Sequence, residues 1–187
     1  MVTKAQASIE DLYHVPENGK AEIVNGELVL MAPTGFRPSR AASVVYVSLL
    51  EHERRTKSGY AIADNAGFKV DLPNRASFSP DAAWYTGKPT GMKFLWGAPS
   101  FAVEVRSEGD YGAATEHEIA GKRHDYFAAG TLCVWDMGLL SRDVIRADFA
   151  ADPERPVIFR RGDVAHAGDA VPGWSMAVDE LFTDDDE

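Results

Sequence analysis

The hydrophobic positions of the chain follow two different periods, which predicts both helices and strands. Apolar residues recur at helical spacing from Pro38 to Lys57 and again from about Ala113 to Ala129. Ser39 is a candidate N-cap for the first helix, because its hydroxyl can accept a hydrogen bond from a free N–H group of the first turn. Gly59 and Gly130 lie just beyond these stretches, where the two helices are expected to have ended.

Short apolar runs elsewhere predict strands. These runs are Tyr60 to Ala63, Phe68 to Leu72, Pro80 to Tyr85, Ser100 to Arg106, Leu132 to Met137, Val144 to Phe149 and Val157 to Arg161. The segment from Thr86 to Pro99 is rich in glycine and proline and is expected to be a loop. This order of elements favours an α/β or α+β domain with a mixed sheet over a helix bundle or a β-sandwich.

The two ends of the chain carry further local signals. Ser8 can cap a short helix that ends near Pro16. The Asn25-Gly26 pair stands between two apolar runs and predicts a β-hairpin, because a type I′ turn needs positive φ at both positions. Val178 to Phe182 is expected to form a last turn, and the acidic tail at residues 183–187 is expected to be disordered.

Length and composition indicate one globular domain over residues 1–187. Hydrophobic residues make up 45% of the chain, which is an ordinary value for a folded protein. No apolar run is long enough to span a bilayer and the first residues do not resemble a signal peptide, so we expect a cytoplasmic protein without a membrane partner. The one cysteine, Cys133, lies in an apolar run and is expected to be buried packing rather than a reactive thiol.

The formal net charge of -10 argues against a protein that coats nucleic acid non-specifically, since phosphate contacts need Lys and Arg. Four of the acidic residues belong to the tail from Asp184 to Glu187. An acidic nuclease is still compatible with this charge, because a bound metal offsets the carboxylates that hold it.

The strand predicted at Ser100 to Arg106 places a carboxylate in an unusual position. Because side chains alternate across a strand, one face carries Phe101, Val103 and Val105, and the other carries Ala102, Glu104 and Arg106. Glu104 then has only small or charged neighbours on its face. Two interpretations remain open: an exposed edge strand with an ion pair, or a carboxylate held on a rigid strand facing a cleft.

Asp81 and Lys122 extend this pattern. Asp81 follows Pro80 at a predicted strand start, where an aspartate is either part of a turn or a metal ligand. Lys122 lies in line with Ile119 and Tyr126 on the apolar face of the second long helix. A lysine there must reach water or an anion, and Asp81 and Glu104 are the candidate anions. Two carboxylates and a lysine together can hold a divalent metal and activate a water for phosphodiester cleavage.

Short motifs in a fixed order resemble the Uma-type family of restriction-endonuclease-like proteins, within the PD-(D/E)XK nuclease superfamily. The motifs are Glu22 to Leu28, Met31 to Phe36, Pro80-Asp81, Phe101 to Ser107, Lys122 to Tyr126 and Trp135-Asp136. The resemblance covers nearly the whole chain. It implies a restriction-endonuclease-like fold, in which helices flank a central mixed β-sheet that carries an N-terminal β-hairpin.

The resemblance also implies a chemistry. Asp81 and Glu104 would ligate Mg²⁺ or Mn²⁺, with Glu22 as a further carboxylate, and Lys122 would supply the lysine of the motif from the following helix. Arg106 stands where the usual motif has its lysine and would hold a phosphate, since an arginine cannot act as a base. The implied function is a metal-dependent DNA endonuclease. A symmetric homodimer would suit the cutting of two antiparallel strands.

One departure from the family pattern and two other functions stay open. The family often has a histidine near the start of the long helix, where this chain has Phe36 to Arg40, with Arg40 as a substitute polar group. The first alternative function is a catalytically silent nuclease-like domain that acts as a binding or interaction module. The second is a metal-dependent hydrolase of a phosphate ester outside nucleic acids.

Overall fold

The computed structural model describes residues 6–15 and 19–183. Three α-helices lie within these residues: α1 (Ile9–Tyr13), α2 (Phe36–Thr56) and α3 (Ala113–Ala128). The strands before α3 are β1 (Ala21–Val24), β2 (Glu27–Leu30), β3 (Tyr60–Ala63), β4 (Phe68–Leu72), β5 (Arg75–Phe78), β6 (Ala82–Tyr85), β7 (Leu95–Trp96) and β8 (Phe101–Val105). Those after α3 are β9 (Cys133–Met137), β10 (Ile145–Phe149), β11 (Val157–Phe159), β12 (Val164–His166) and β13 (Ser175–Ala177). Short 3₁₀ helices cover Gly168–Ala170 and Val178–Leu181.

A six-stranded sheet in the order β11-β10-β9-β8-β6-β3 forms the centre of the fold. Strands β8 and β9 are parallel and are joined through α3, whereas the other neighbouring pairs are antiparallel. Glu104 and Asp136 lie side by side in the register of β8 and β9. The predicted mixed sheet is confirmed, and its strand ends bring the candidate site residues to one edge.

Helices cover both faces of this sheet, as alternation along the strands requires. Residues of α2 pack with Trp84, Phe101 and Trp135 on one face. On the other face, Tyr126 of α3 packs with Ala102 and other buried residues. Strand β8 is therefore an interior strand, and the alternative of an exposed edge strand carrying Glu104 is wrong.

The N-terminal hairpin is confirmed and belongs to a second, five-stranded sheet in the order β2-β1-β5-β4-β7. Asn25 and Gly26 have φ values of 50° and 74°, as a type I′ turn demands. This sheet packs over α3, where the rings of Phe78 and Tyr126 stack with centroids 4.0 Å apart. The two sheets therefore enclose the face of α3 that bears Tyr126 and Lys122.

The first long helix begins earlier than predicted. Helix α2 starts at Phe36 with Gly35 as its N-cap, so the expectation that Ser39 caps it is wrong. The backbone N–H of Ser39 already donates to the carbonyl of Gly35, which places Ser39 inside the first turn. At the other end, Lys57 adopts the left-handed conformation with φ of 53° and ends the helix before Gly59.

Four of the short strands that the structure describes were not predicted: β5, β7, β12 and β13. Strand β7 has two residues and lies within the segment expected to be a loop. Strand β5 contains Arg75 and Ser77, both buried, so it lacks the apolar pattern on which strand prediction depends.

Some of the remaining local predictions concern residues that the structure describes, and others concern residues outside them. Ser8 precedes α1 and donates to the Asp11 carboxylate over 2.7 Å, and the last turn is confirmed as a 3₁₀ helix. Cys133 is buried, and burial raises the pKa of its thiol. The predicted helix end at Pro16 and the acidic tail beyond Thr183 lie outside the described residues. In the part of the chain that the structure describes, no helix is long and apolar enough to cross a membrane.

Candidate active site

Lys122 and Glu104 meet between α3 and β8. The ammonium nitrogen of Lys122 lies 2.8 Å from Oε2 of Glu104, and the Tyr126 hydroxyl donates to Oε1 of Glu104 over 2.6 Å. The Lys122 side chain is only 20% exposed, so it is paired with anions rather than extended into water. The helical stripe that contains Lys122 and Tyr126 is thereby confirmed as the face that points at the sheet.

Asp81 lies just before β6, next to the C-terminal end of β8. Its Oδ2 accepts the backbone N–H of Val105 over 2.8 Å, and its own N–H donates to the Val103 carbonyl. Asp81 is close enough to Glu104 that its negative charge helps to raise the pKa of Glu104. The structure thus brings Asp81, Glu104 and Lys122 together at one end of β8.

Sequence reasoning missed a second lysine at this site. Lys20 donates to Oδ1 of Asp81 over 2.7 Å and to Oδ1 of Asp64 over 2.6 Å. Burial would lower the pKa of Lys20, but the two aspartates outweigh it and raise that pKa. Lys20 lies 61 residues before Asp81, and no local motif signals the contact.

Glu22 joins the site from β1 with both of its oxygens already engaged. Oε1 accepts the backbone N–H of Ser79 over 2.8 Å and lies 2.9 Å from the Lys122 nitrogen. Oε2 accepts Nη1 of Arg75 over 2.5 Å, and Nε of Arg75 donates to Asp125 over 2.8 Å. Glu22 therefore belongs to a buried network that connects the five-stranded sheet with α3, and its role as a metal ligand stays a prediction.

Burial and neighbouring charges set the protonation of these groups. Burial raises the pKa of Glu104, with Lys122 opposing and Asp81 adding to the rise. Burial would lower the pKa of Lys122, but Glu104 and Glu22 outweigh it and raise that pKa, so the amine stays a cation. Despite burial, Lys122 and Arg75 lower the pKa of Glu22 and keep it ionised. Because Lys122 stays protonated, it can stabilise negative charge but cannot act as a base.

Arg106 follows on the same strand face and has several partners. Its Nε and Nη2 donate to the two carboxylate oxygens of Asp136 over 2.7 and 2.6 Å. Nη1 donates to the backbone carbonyl of Asp110 over 3.2 Å and to the carboxylate of Glu116. Phosphate binding by Arg106, predicted from the sequence, therefore requires the displacement of one of these partners.

Two cavities flank the site. A groove of about 850 Å³ is lined by Glu22, Glu104, Arg106 and Lys122. A smaller cavity of about 150 Å³ beside Asp81 is lined by the α2 residues Ser39, Ser43 and Tyr46 among others. Arg40 lines a different cleft, with Leu139 and Phe182, so the polar groups that α2 turns towards Asp81 are hydroxyls.

The donor chemistry of the site suits a hard divalent cation. Asp81 and Glu104 offer carboxylate oxygens from neighbouring strands, and Mg²⁺ is commonly held by one or two carboxylates while it keeps several waters. Across residues 6–15 and 19–183, no group of three or more His, Cys, Asp or Glu side chains is arranged to hold a metal. By donor type, Asp81 and Glu104 fit a two-carboxylate site of the Mg²⁺ kind.

Comparisons with known proteins identify the family and the fold of the chain. The sequence matches the Uma2 family, described as "Putative restriction endonuclease", over residues 8–179. The fold is similar to the crystal structure of "a putative nuclease belonging to DUF820" from Anabaena variabilis ATCC 29413, with a TM-score of 0.72 and 12% sequence identity. That alignment covers 94% of this chain and 97% of the other. None of the curated proteins compared with the chain matches it. Since the match spans most of its length, the chain belongs to the Uma2 family.

Proposed function

We propose that the protein is a metal-dependent endonuclease that hydrolyses phosphodiester bonds in DNA. The observation that carries the proposal is the Lys122–Glu104 pair beside Asp81, at the wall of an open groove. Membership of a family of restriction-endonuclease-like proteins supports a nucleic acid as the substrate.

Asp81 and Glu104 would hold the metal, which is Mg²⁺ or Mn²⁺ on the proposal. When bound, such an ion polarises a phosphate oxygen and lowers the pKa of a coordinated water. Hydrogen bonds within the chain orient both carboxylates. The Val105 N–H donates to Asp81, and the Tyr126 hydroxyl donates to Glu104. These contacts hold the two side chains in defined orientations before any ligand binds.

Lys122 would stabilise the negative charge that grows on the phosphate oxygens during hydrolysis. Preorganised cations in a site with little water are effective in this role, because no reorganisation is needed as the charge develops. Glu22 contacts the Lys122 ammonium and is itself fixed by Arg75 and the Ser79 N–H. Glu22 then acts as a positioning residue.

Incubation of the purified protein with supercoiled plasmid and with short duplexes, in Mn²⁺ or in EDTA, tests the proposal. Nicking or linearisation in Mn²⁺ alone is the expected result. Calorimetric titration with Mn²⁺ should show weaker binding by Asp81→Ala than by wild type, and equal affinity would remove Asp81 from the metal site. A two-fold symmetric dimer completes the proposal, because it would present two sites to antiparallel strands, and light scattering measures its mass.

One observation favours the alternative of a catalytically silent nuclease-like domain. Both oxygens of Asp81 and both oxygens of Glu104 have partners within the chain, among them the ammonium groups of Lys20 and Lys122. A site that is neutralised in this way can persist without a metal. Absence of Mn²⁺ binding in the same titration would favour this alternative, since both hydrolase functions require the ion.

A further inference from the structure

Three arginines surround two buried aspartates beside the Lys122–Glu104 pair. This arginine cluster consists of Arg106 at the end of β8, Arg123 on α3 and Arg146 on β10, with Asp136 and Asp148 beneath them. Asp136 is 4% exposed and Asp148 is 1% exposed. The cluster is built into the sheet, and Arg106 lines the same groove as Glu104.

The aspartates fix the guanidinium groups from the buried side. Asp136 accepts two hydrogen bonds from Arg106, and Asp148 accepts two from Arg146 over 2.9 and 3.0 Å. Arg123 approaches Asp148 to 3.4 Å with its Nε. Three cations thus share two buried anions, which leaves the outer side of the cluster with an unbalanced positive charge.

Glu116 supplies the missing negative charge from the outside. It lies in the first turn of α3, and its two oxygens contact Nη1 and Nη2 of Arg106. Hydrogen bonds from Arg106 lower the pKa of Glu116, and the charges of Arg123 and Arg146 add to this effect. Its side chain is nevertheless 55% exposed, in contrast to the two buried aspartates. Glu116 is therefore the one anion of the cluster that can turn into water without leaving a buried charge unpaired.

We propose that the arginine cluster is a binding site for a second backbone phosphate of a nucleic-acid strand, and that the Glu116 carboxylate occupies this site until the phosphate displaces it. A guanidinium presents a planar pair of N–H groups that matches phosphate oxygens as well as carboxylate oxygens. The exchange of one singly charged anion for another leaves the charge of the cluster unchanged.

The position of the cluster indicates which phosphate it takes. Arg106 follows Glu104 by two residues on one strand face, a separation of roughly 6.6 Å at 3.3 Å per residue. This distance is on the scale of the step between neighbouring phosphates of one strand. The cluster would therefore hold the phosphate next to the one cut at Asp81 and Glu104, a placement that rests on the proposed function, whereas anion binding at the cluster does not.

Fluorescence anisotropy with a short labelled DNA duplex in EDTA, over a series of salt concentrations, tests the inference without cleavage. Glu116→Gln should bind the duplex at least about five-fold more tightly than wild type at low salt. The slope of log K against log salt should stay close to that of wild type, because the wild type contacts the same phosphate once Glu116 is displaced. Glu51→Gln is the matched control, because Glu51 is also an exposed glutamate on a helix but does not line the groove. It should stay within about two-fold of wild type, since it does not touch the cluster.

The double variant Glu116→Gln/Arg146→Gln tests whether the gain depends on the arginine cluster, and circular dichroism and melting curves check that each variant is folded. The gain from Glu116→Gln should be lost in the double variant. An equal gain in Glu51→Gln, or no gain in Glu116→Gln, overturns the inference. If Glu116→Gln gains affinity while the wild type cuts no DNA in Mn²⁺, the phosphate site stands and the proposed nuclease function fails. If the wild type cuts DNA but Glu116→Gln binds the duplex with wild-type affinity, only the inference about the arginine cluster fails.

Discussion

The ammonium group of Lys122 contacts the carboxylate of Glu104 over 2.8 Å, across 18 residues of sequence and between a helix and a strand. The contact exists because α3 is the crossover between the parallel strands β8 and β9 and packs back onto the sheet that contains Glu104. A lysine on the sheet-facing stripe of this helix therefore meets the strand that precedes it. The fold itself places a fixed cation beside a carboxylate at the groove.

Lys20 is expected to compete with a metal for Asp81, because its ammonium group contacts Oδ1 while Val105 N–H occupies Oδ2. Lys20→Met should therefore bind Mn²⁺ several-fold more tightly than wild type in calorimetric titration. Lys88→Met removes the same charge from an exposed position and should leave the affinity unchanged. Unchanged or weaker binding by Lys20→Met would show that Oδ1 of Asp81 is not the oxygen that a metal uses.

Arg75 is expected to be a major contributor to stability, because it is the shared partner of two buried carboxylates, Glu22 and Asp125. Arg75→Met leaves both without this cation and should lower the free energy of unfolding by about 3–5 kcal/mol. Denaturant unfolding measures the change. Arg160→Met is the control, since Arg160 and its partner Asp143 are each half exposed, and it should cost less than about 1 kcal/mol. Equal costs for the two variants would contradict the assigned role of the buried network.

His52 is expected to make the stability of the folded protein sensitive to acid. Burial lowers its pKa, the charge of Arg55 adds to this, and its ring packs edge-on against Trp84 with centroids 5.5 Å apart. Because the folded pKa lies below the unfolded value, the unfolded chain takes up the proton first, and stability falls as the pH drops below about 6.5. One such group contributes at most about 1.4 kcal/mol per pH unit.

The contribution of His52 is measured by comparing the free energy of unfolding of wild type and His52→Gln from neutral to mildly acidic pH. The variant should show a shallower dependence on pH, whatever its absolute stability. His124→Gln changes an exposed histidine and should retain the slope of wild type. Parallel curves for wild type and His52→Gln would remove His52 as a source of the pH dependence.

Local patterns were sufficient to predict much of the fold and the centre of the site. The apolar stripe of α3 predicted which way Lys122 points, and the alternation of β8 separated Glu104 from Phe101 and Val103. The Asn25-Gly26 turn followed from its backbone requirement alone. In each case the signal lies within one element, where side-chain direction is fixed by the period of the helix, strand or turn.

The parts that could not be predicted depend on contacts between distant segments. Arg75 and Ser77 are polar residues inside β5, and they are satisfied by Glu22 and by the backbone N–H of Ile23, more than 50 residues away. A pattern of apolar positions cannot indicate such a strand. The pairing of Lys20 with Asp81 was beyond local reasoning for the same reason. Arg106 was assigned from its position directly after β8, but its partners Asp136 and Glu116 lie on β9 and α3.

Mn²⁺-dependent cleavage of plasmid DNA by wild type, Glu104→Gln, Lys122→Ala and Glu51→Gln tests the central claim most directly, with circular dichroism to check the fold. Glu104→Gln removes the charge needed to hold the ion and should abolish cleavage. Lys122→Ala removes the cation beside the reacting phosphate and should slow cleavage by about 100-fold or more. The exposed control Glu51→Gln, outside the groove, should cut like wild type. Wild-type rates in both Glu104→Gln and Lys122→Ala would contradict the assigned site, and a wild-type protein that cuts no nucleic acid in Mn²⁺ would contradict the nuclease function.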